Sequence, residues 1–179
     1  MKQYIALIRG INVGGKNAVS MTSLKDALVS RGFENVSSYI NSGNIIFESK
    51  DTDLAVFTST FEKILLSKFS VVTRVAVLSA KELHDSWHHA PTWWGVDSNS
   101  KHNAIFVIAP ADAEQVKAEA GDAKPEYEKI DAFGHVIFWS APLSTFSRTR
   151  WSKIVGTDAY NKITIRNFNT TKKLVDLTT

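Results

Sequence analysis

Two short β-rich runs, Val36 to Ile40 and Ile45 to Glu48, stand four residues apart, and this spacing constrains the fold more than any other feature of the chain. The residues between them, Asn41-Ser42-Gly43-Asn44, favour positive φ and tight reversal. Parallel neighbours need a crossover of a dozen or more residues. The two runs therefore form an antiparallel hairpin, and a mainly parallel sheet is excluded. Before the hairpin, residues 3 to 8 read as a continuous apolar strand. Leu24, Ala27 and Leu28 then recur at helical spacing, with Ser20, Thr22 and Ser23 as N-cap oxygens, Ser23 and Asp26 as a capping box, and Gly32 as the stop. After the hairpin, Asp51 is placed to cap a second helix with Leu54, Phe57, Phe61, Ile64, Leu65 and Lys68 on one stripe, and Val71 to Leu78 is a β-branched strand. The order β-α-β-β-α-β is that of the ferredoxin-like unit.

The same order recurs. Ala80 to His89 reads as a connecting helix ended by Pro91, and residues 91 to 102 lose all periodicity, which marks a linker. Trp93 and Trp94 within it read as buried anchors between the two halves rather than as exposed stacking platforms. A strand at Ala104 to Ala109, a helix at Asp112 to Ala120, strands at Tyr127 to Ala132 and His135 to Ser140, a helix at Phe146 to Val155 and a strand at Ile163 to Ile165 follow. Residues 168 to 177 form a last helix capped by Asn167 or Asn169, with Leu174 and Leu177 inward. The expected fold class is α+β: two ferredoxin-like units with mainly antiparallel sheets, plus linking and C-terminal helices. The expected division is residues 1–80, a connecting helix and linker at 81–102, and residues 103–179 with the C-terminal helix.

Between the first strand and first helix lies Arg9-Gly10-Ile11-Asn12-Val13-Gly14-Gly15-Lys16-Asn17. Glycines let a backbone take positive φ and approach a ligand, and unpaired N–H groups beside Lys or Arg make an anion cradle. The loop falls one residue short of a nucleotide-binding P-loop, because Asn17 stands where a magnesium-binding hydroxyl is required. No apolar strand ending in Asp follows to complete such a site. A non-Walker anion or phosphate site and a purely structural glycine loop are the two readings that stand.

Other constellations point less far. His84 and His88 have the four-residue spacing of zinc-protease ligands, but the base position is Asp85, and His102 or His135 would have to supply the third ligand; the expectation is no metal. Ser42 and Asn44 sit on the hairpin turn, where a nucleophilic serine has no orienting base in view. Asp51 with Asp53 and Glu126 with Glu128 fall at element ends, where capping and solvation explain them. Arg166 and Asn169 flank a strand-to-helix turn with exposed N–H groups, a second place for an anion. Zero cysteines exclude disulfides, thiol catalysis and cysteine-based metal sites, and no cofactor motif is present. No apolar run approaches the ~18 residues that span a bilayer, so no membrane partner is expected and the cytoplasm is the default compartment. The formal charge of +3 is mildly basic, with a cationic bias at Arg148, Arg150, Lys153, Lys162, Arg166, Lys172 and Lys173.

Three strings, Leu7-Ile8-Arg9-Gly10-Ile11-Asn12-Val13-Gly14-Gly15-Lys16, Tyr39-Ile40-Asn41-Ser42-Gly43-Asn44-Ile45-Ile46-Phe47 and Thr164-Ile165-Arg166-Asn167-Phe168-Asn169-Thr170, resemble a widespread, mainly bacterial family known as domain of unknown function 1697. The resemblance implies a two-part α+β protein of ferredoxin-like halves over nearly the whole chain, and it implies no reaction. Where the family's second half often carries Gly-Arg or a similar basic helix start, this chain has Ser147-Arg148-Thr149-Arg150-Trp151-Ser152-Lys153, which departs from it. Two functional classes follow. The first is binding of a phosphate-bearing or other anionic ligand, a nucleotide or nucleic-acid backbone, through Arg9, Gly10, Asn12, Gly14, Gly15 and Lys16 with Ser42, Asn44, Arg166 and Asn169. The second is an enzyme acting on a small polar substrate in a cleft between the halves.

Overall fold

The computed structural model describes residues 1–179, which divide into two compact units: Met1–Leu83 with Leu177–Thr179, and His84–Asp176. In the first, strands β1 (Lys2–Ile8), β2 (Glu34–Tyr39), β3 (Asn44–Ser49) and β4 (Val75–Ser79) form one sheet in the order β2-β3-β1-β4. Every pairing is antiparallel, with Leu7 opposite Asn44 and Ile8 opposite Val75. This is the ferredoxin-like arrangement, with α1 (Met21–Val29) and α2 (Leu54–Phe69) as its crossovers. Tyr4, Ala6 and Ile8 alternate onto one face, where they meet Ile45, Phe47 and Val75 and the inward residues of both helices. Phe57, Phe61, Ile64 and Leu65 supply the α2 stripe. Five rings, those of Tyr4, Phe33, Phe47, Phe57 and Phe61, pack in the middle; Phe47 and Phe57 are edge-on at 5.4 Å.

Of the N-cap oxygens expected at α1, Ser20 is the one used, without the Ser23 and Asp26 capping box, whereas the start of α2 differs from expectation. Ser20 caps α1 by accepting from the Ser23 N–H, so Ser23 is inside the helix rather than at its edge. Asp53, not Asp51, caps α2, accepting from the Ala55 and Val56 N–H groups at 2.9 and 3.2 Å. Asp51 accepts from Thr52 and Asp53 instead, shaping the turn that delivers the cap. The strand expected from Val71 begins at Val75, because Ser70 ends α2 in the left-handed region (φ 56°) and residues 71–74 return the chain to the sheet.

Helix α3 (Ala80–His88) is followed by turns and then by β5 (Ser100–Val107), which starts inside the expected linker. The second unit adds α4 (Ala113–Ala120), capped by Asp112, the hairpin β6 (Lys129–Phe133) and β7 (Val136–Pro142), and β8 (Ile163–Asn167). Its sheet order, β6-β7-β5-β8 with every pairing antiparallel, repeats the topology of the first. One face carries Ile105, Val107, Ile137, Trp139 and Ile163 against α4. On the other, Trp94 is buried against Phe138 and Phe168 at ring distances of 5.0 and 4.8 Å, and its indole donates to the Asn103 carbonyl. Helix α5 (Phe168–Leu177) starts at Asn167, whose side chain accepts from the Thr170 N–H; Leu174 is buried, but Leu177 is 42% exposed rather than inward. No helix is long and apolar enough to cross a membrane.

The helix expected at Phe146 to Val155 is absent. Three 3₁₀ segments, Leu143–Arg148, Trp151–Gly156 and Asp158–Lys162, stand in its place. Thr149 is extended between the first two, and its hydroxyl donates to the Phe146 carbonyl while accepting from the Ser152 N–H. Hydroxyls that bond nearby backbone compete with the i to i+4 ladder. The buried Glu128 carboxylate completes the diversion by accepting from the N–H groups of Arg150 and Trp151.

Candidate functional site

The loop after β1 leaves the sheet pinned on both sides. Ile8 N–H donates to the Gly43 carbonyl at 2.8 Å, Arg9 N–H donates to the Arg74 carbonyl at 3.1 Å, and the Thr73 hydroxyl donates to the Arg9 carbonyl at 2.5 Å. The loop then closes on itself: Asn12 N–H donates to the Asn17 carbonyl, the Asn17 side chain donates to the Gly10 carbonyl, and Lys16 N–H donates to the Val13 carbonyl. Gly10, Asn12, Gly14, Gly15 and Asn17 all have positive φ, between 52° and 74°. Glycine adopts this region freely, and Asn is the side chain that tolerates it best.

Asn12 is the joint of the loop. Its amide nitrogen donates to the carbonyls of Val19 and Asn41 at 2.9 and 2.8 Å, and its amide oxygen accepts from the Val19 N–H at 2.8 Å. The fold thus brings the loop, the start of α1 and the hairpin turn together. Asn44 is fully buried and donates to the Tyr39 carbonyl and the Ser42 hydroxyl, so this pair closes the turn from inside. Asn12, Ser42 and Asn44 therefore each have a structural duty.

Gly14, Gly15 and Lys16 are exposed, like most of the loop, and carry none of these bracing side-chain bonds. Neither glycine has its N–H paired within the chain, and Lys16 makes no ion pair. A recess of about 390 Å³ lies beside them, lined by Asn12, Gly15, Lys16, Ser20, Met21 and Asn41 among others. Helix α1 begins at its wall and has no acidic residue in its first turn, so the positive end of the helix dipole is uncompensated there. At the opposite end of β1 a larger recess, about 740 Å³, has Glu48 and Glu82 alongside Lys2 and Lys81, a mixed lining with no preference for an anion.

Arg166 and Asn169 belong to the second unit. Arg166 is 8% exposed on β8 and donates to the Thr164 hydroxyl and the Ile165 carbonyl, both at 2.9 Å. Burial lowers its pKa from the ordinary guanidinium range to about 10, so it stays charged at neutral pH while packed in the sheet. Asn169 is exposed on the first turn of α5. His102 has both ring nitrogens engaged, Nδ1 with the Ser140 hydroxyl at 2.6 Å and Nε2 with the Asp97 carbonyl at 2.7 Å. Hydrogen bonds from Ser100 and the Asn99 N–H hold the neighbouring Asp97 carboxyl below its usual range. His89 stacks on Phe133 at 3.9 Å.

Sequence reasoning missed Thr73 and gave Asn17 only the role of a defective magnesium ligand. The recurrence of Asn at 12 and 17 around a glycine pair was the available signal, since both are suited to left-handed backbone.

With two ferredoxin-like units and this loop in place, the class is defined, and comparison with known proteins adds the family. The family model described as "Protein of unknown function (DUF1697)" matches residues 1–138, and the chain belongs to that family. Among solved structures it is similar to the conserved bacterial protein SP0830 from Streptococcus pneumoniae, with 32% identity, 98% of each chain covered and a TM-score of 0.86. No curated protein matches.

Proposed function

We propose that the first unit binds a phosphate-bearing ligand, a nucleotide or a nucleic-acid phosphate, in the recess beside Gly15 and Lys16. One observation carries the reading. Lys16 is an exposed cation without an acidic partner, set next to two unpaired glycine N–H groups and the uncompensated start of α1. These are the donors that an anion requires and that a connecting loop does not. Asn12, with the turn closed by Ser42 and Asn44, holds the geometry, and Arg9 on the strand end adds positive potential nearby.

The test is a thermal-shift and calorimetric screen of nucleotides, sugar phosphates and short RNA against wild type and Lys16→Ala. Lys16 is exposed, so the variant should melt at nearly the wild-type temperature. Loss of a charge-assisted hydrogen bond should weaken the ligand by about 1.5–3 kcal/mol, roughly ten- to a hundredfold. A ligand that binds wild type and Lys16→Ala equally would make the loop purely structural.

A further inference from the structure

The cationic bias of the C-terminal third resolves into unlike groups once the fold is known. Lys162 is paired with Glu119, Lys172 is paired with Asp176, and Arg166 is buried in the sheet. Arg148, Arg150 and Lys153 are exposed and pair with no carboxylate, and the same holds for Lys173 on α5, but only the first three share one short stretch of chain. They lie on the 3₁₀ run 143–153, which contains no acidic residue and carries exposed hydroxyls at Ser144 and Ser147. Arg148 lies over the Tyr127 ring at 5.8 Å, and Lys101 lies over Phe146 at 4.3 Å. Lys124 reaches into the same cluster, its ammonium donating to the Arg148 carbonyl at 3.1 Å. Asp122 and Glu126 flank Lys124 in sequence, so the excess of charge comes from the 143–153 run itself.

The platform is held from beneath. The buried Glu128 carboxylate accepts from the backbone N–H of Lys124, Arg150 and Trp151, and the Trp151 indole donates to the Gly121 carbonyl. The Lys124 turn and the basic run 143–153, far apart in sequence, are thereby tied to one carboxylate. Arg and Lys, helped by Ser hydroxyls, are the donor set that contacts phosphate oxygens along a nucleic-acid backbone. Arginines stacked on a ring leave their N–H edges free for such contacts. The three cations fall within six residues of one chain segment, a short footprint that suits one phosphodiester strand better than the two backbones of a duplex.

We propose that this face of the second unit, centred on Arg148, Arg150 and Lys153, binds single-stranded nucleic acid through its backbone, without regard to sequence. It is separate from the Lys16 recess and does not depend on it.

The experiment is fluorescence anisotropy of the full chain with a labelled mixed-sequence single-stranded oligonucleotide, its duplex of equal length, and vesicles containing phosphatidylserine. Three phosphate contacts on a single strand give a slope of log K against log salt of about −2, or roughly a fifteenfold loss between about 50 and 200 mM salt. Arg148→Gln/Arg150→Gln/Lys153→Gln should remove most of that slope and weaken binding by at least about tenfold, in the wild-type and the Lys16→Ala background alike. Should the triple variant fail to fold, Arg148→Gln and Lys153→Gln singly should each flatten the slope by about 0.7. The proposal is overturned by no binding at low salt, by tighter binding of the duplex, by binding to vesicles alone, or by variants that bind as wild type does.

Discussion

The side-chain amide of Asn12 donates to the main-chain carbonyl of Asn41 at 2.8 Å, joining the loop after β1 to the turn between β2 and β3 across 29 positions of sequence. The same side chain exchanges two hydrogen bonds with Val19 at the approach to α1. One residue therefore sets the mutual position of three segments around the recess.

Asn12→Ala should destabilise the protein for two separable reasons. Three hydrogen bonds are lost, each with a net contribution of about 0.5–1.5 kcal/mol. The φ of 54° also suits Asn better than Ala, a penalty of about 1–2 kcal/mol. Asn12→Gly removes the bonds without the backbone penalty, so urea unfolding of the pair divides the two contributions. Asn12→Ala is expected to be the less stable; equal stabilities would show that backbone strain plays no part.

Gly43 and Gly14 should behave differently, although both have positive φ. A Cβ on Gly43 would stand 2.8 Å from the Ile8 Cβ and 3.0 Å from the Ile11 Cδ1, in the interior. A Cβ on Gly14 meets nothing within 4 Å. Gly14→Ala should therefore cost only the backbone penalty of about 1–2 kcal/mol, and Gly43→Ala should add overpacking of about 1–3 kcal/mol. Thermal midpoints of the two variants decide this; a Gly14→Ala protein as unstable as Gly43→Ala would mean that the loop is more tightly packed than its open surface implies.

The hairpin was legible because four residues between two β runs permit no other connection, and the strand order of both units was legible because each buries an alternating or helical stripe. Asn12 was not. It reads in sequence as one more polar loop residue beside Lys16, since its partners at Val19 and Asn41 come close only after the sheet forms. The 3₁₀ run was misread because Trp151, Ile154 and Val155 imitate helical spacing, whereas the Thr149 hydroxyl and the distant Glu128 carboxylate that defeat the helix carry no periodic signature. Arg166 reads as an exposed cation when strand alternation is judged one face at a time. In the second unit both faces of the sheet are covered, and Arg166 is enclosed with Thr164.

The Glu119 and Lys162 ion pair should give a pH-dependent stability of definite sign. Lys162 Nζ meets both carboxylate oxygens, at 2.5 and 2.6 Å, and this hydrogen bonding holds the Glu119 carboxyl below its ordinary value of 4.5, with a further bond from Gln115. A carboxyl lowered on folding contributes stability that is fully present above its unfolded value and is lost as pH falls through the lowered folded value. Lys162→Ala should therefore melt below wild type at pH 7, and the gap should close under acid conditions well below pH 4.5. A gap that persists unchanged at low pH would assign the effect to packing of the lysine stem.

Zinc is not expected to matter. His84 and His88 are spaced as ligands on α3, but both nitrogens of His102, one of the two candidates for a third ligand, are taken by Ser140 and the Asp97 carbonyl. Elemental analysis of purified protein should find no stoichiometric zinc, and His84→Ala/His88→Ala should fold as wild type does. About one zinc per chain, lost in that variant, would establish a metal site.

Glu128 offers the sharpest test of how the second unit is built. Its carboxylate is 3% exposed and has no cation as partner; four N–H donors surround it instead. Oε1 accepts from Lys124 and Arg150 at 2.9 and 2.7 Å, while Oε2 accepts from the Trp139 indole at 3.0 Å and from Trp151 at 3.2 Å. A buried charge is tolerated where hydrogen bonds to the charged form replace its hydration. Glu128→Gln keeps the shape and removes the charge, but the amide nitrogen must face two donors that it cannot accept from. Each buried donor left unpaired costs about 1–3 kcal/mol, so the variant should lose about 2–6 kcal/mol. Loss of the pin should also free the 3₁₀ run, with Trp139 and Trp151 reporting through altered tryptophan fluorescence and faster hydrogen exchange at Arg150 and Trp151. Glu128→Asp retains the charge but is one methylene too short to reach both sides, and it should fall between wild type and Gln. If Glu128→Gln melts within about a degree of wild type and exchange at Arg150 is unchanged, the carboxylate does not organise the run, and the 3₁₀ conformation must be credited to the Thr149 hydroxyl alone.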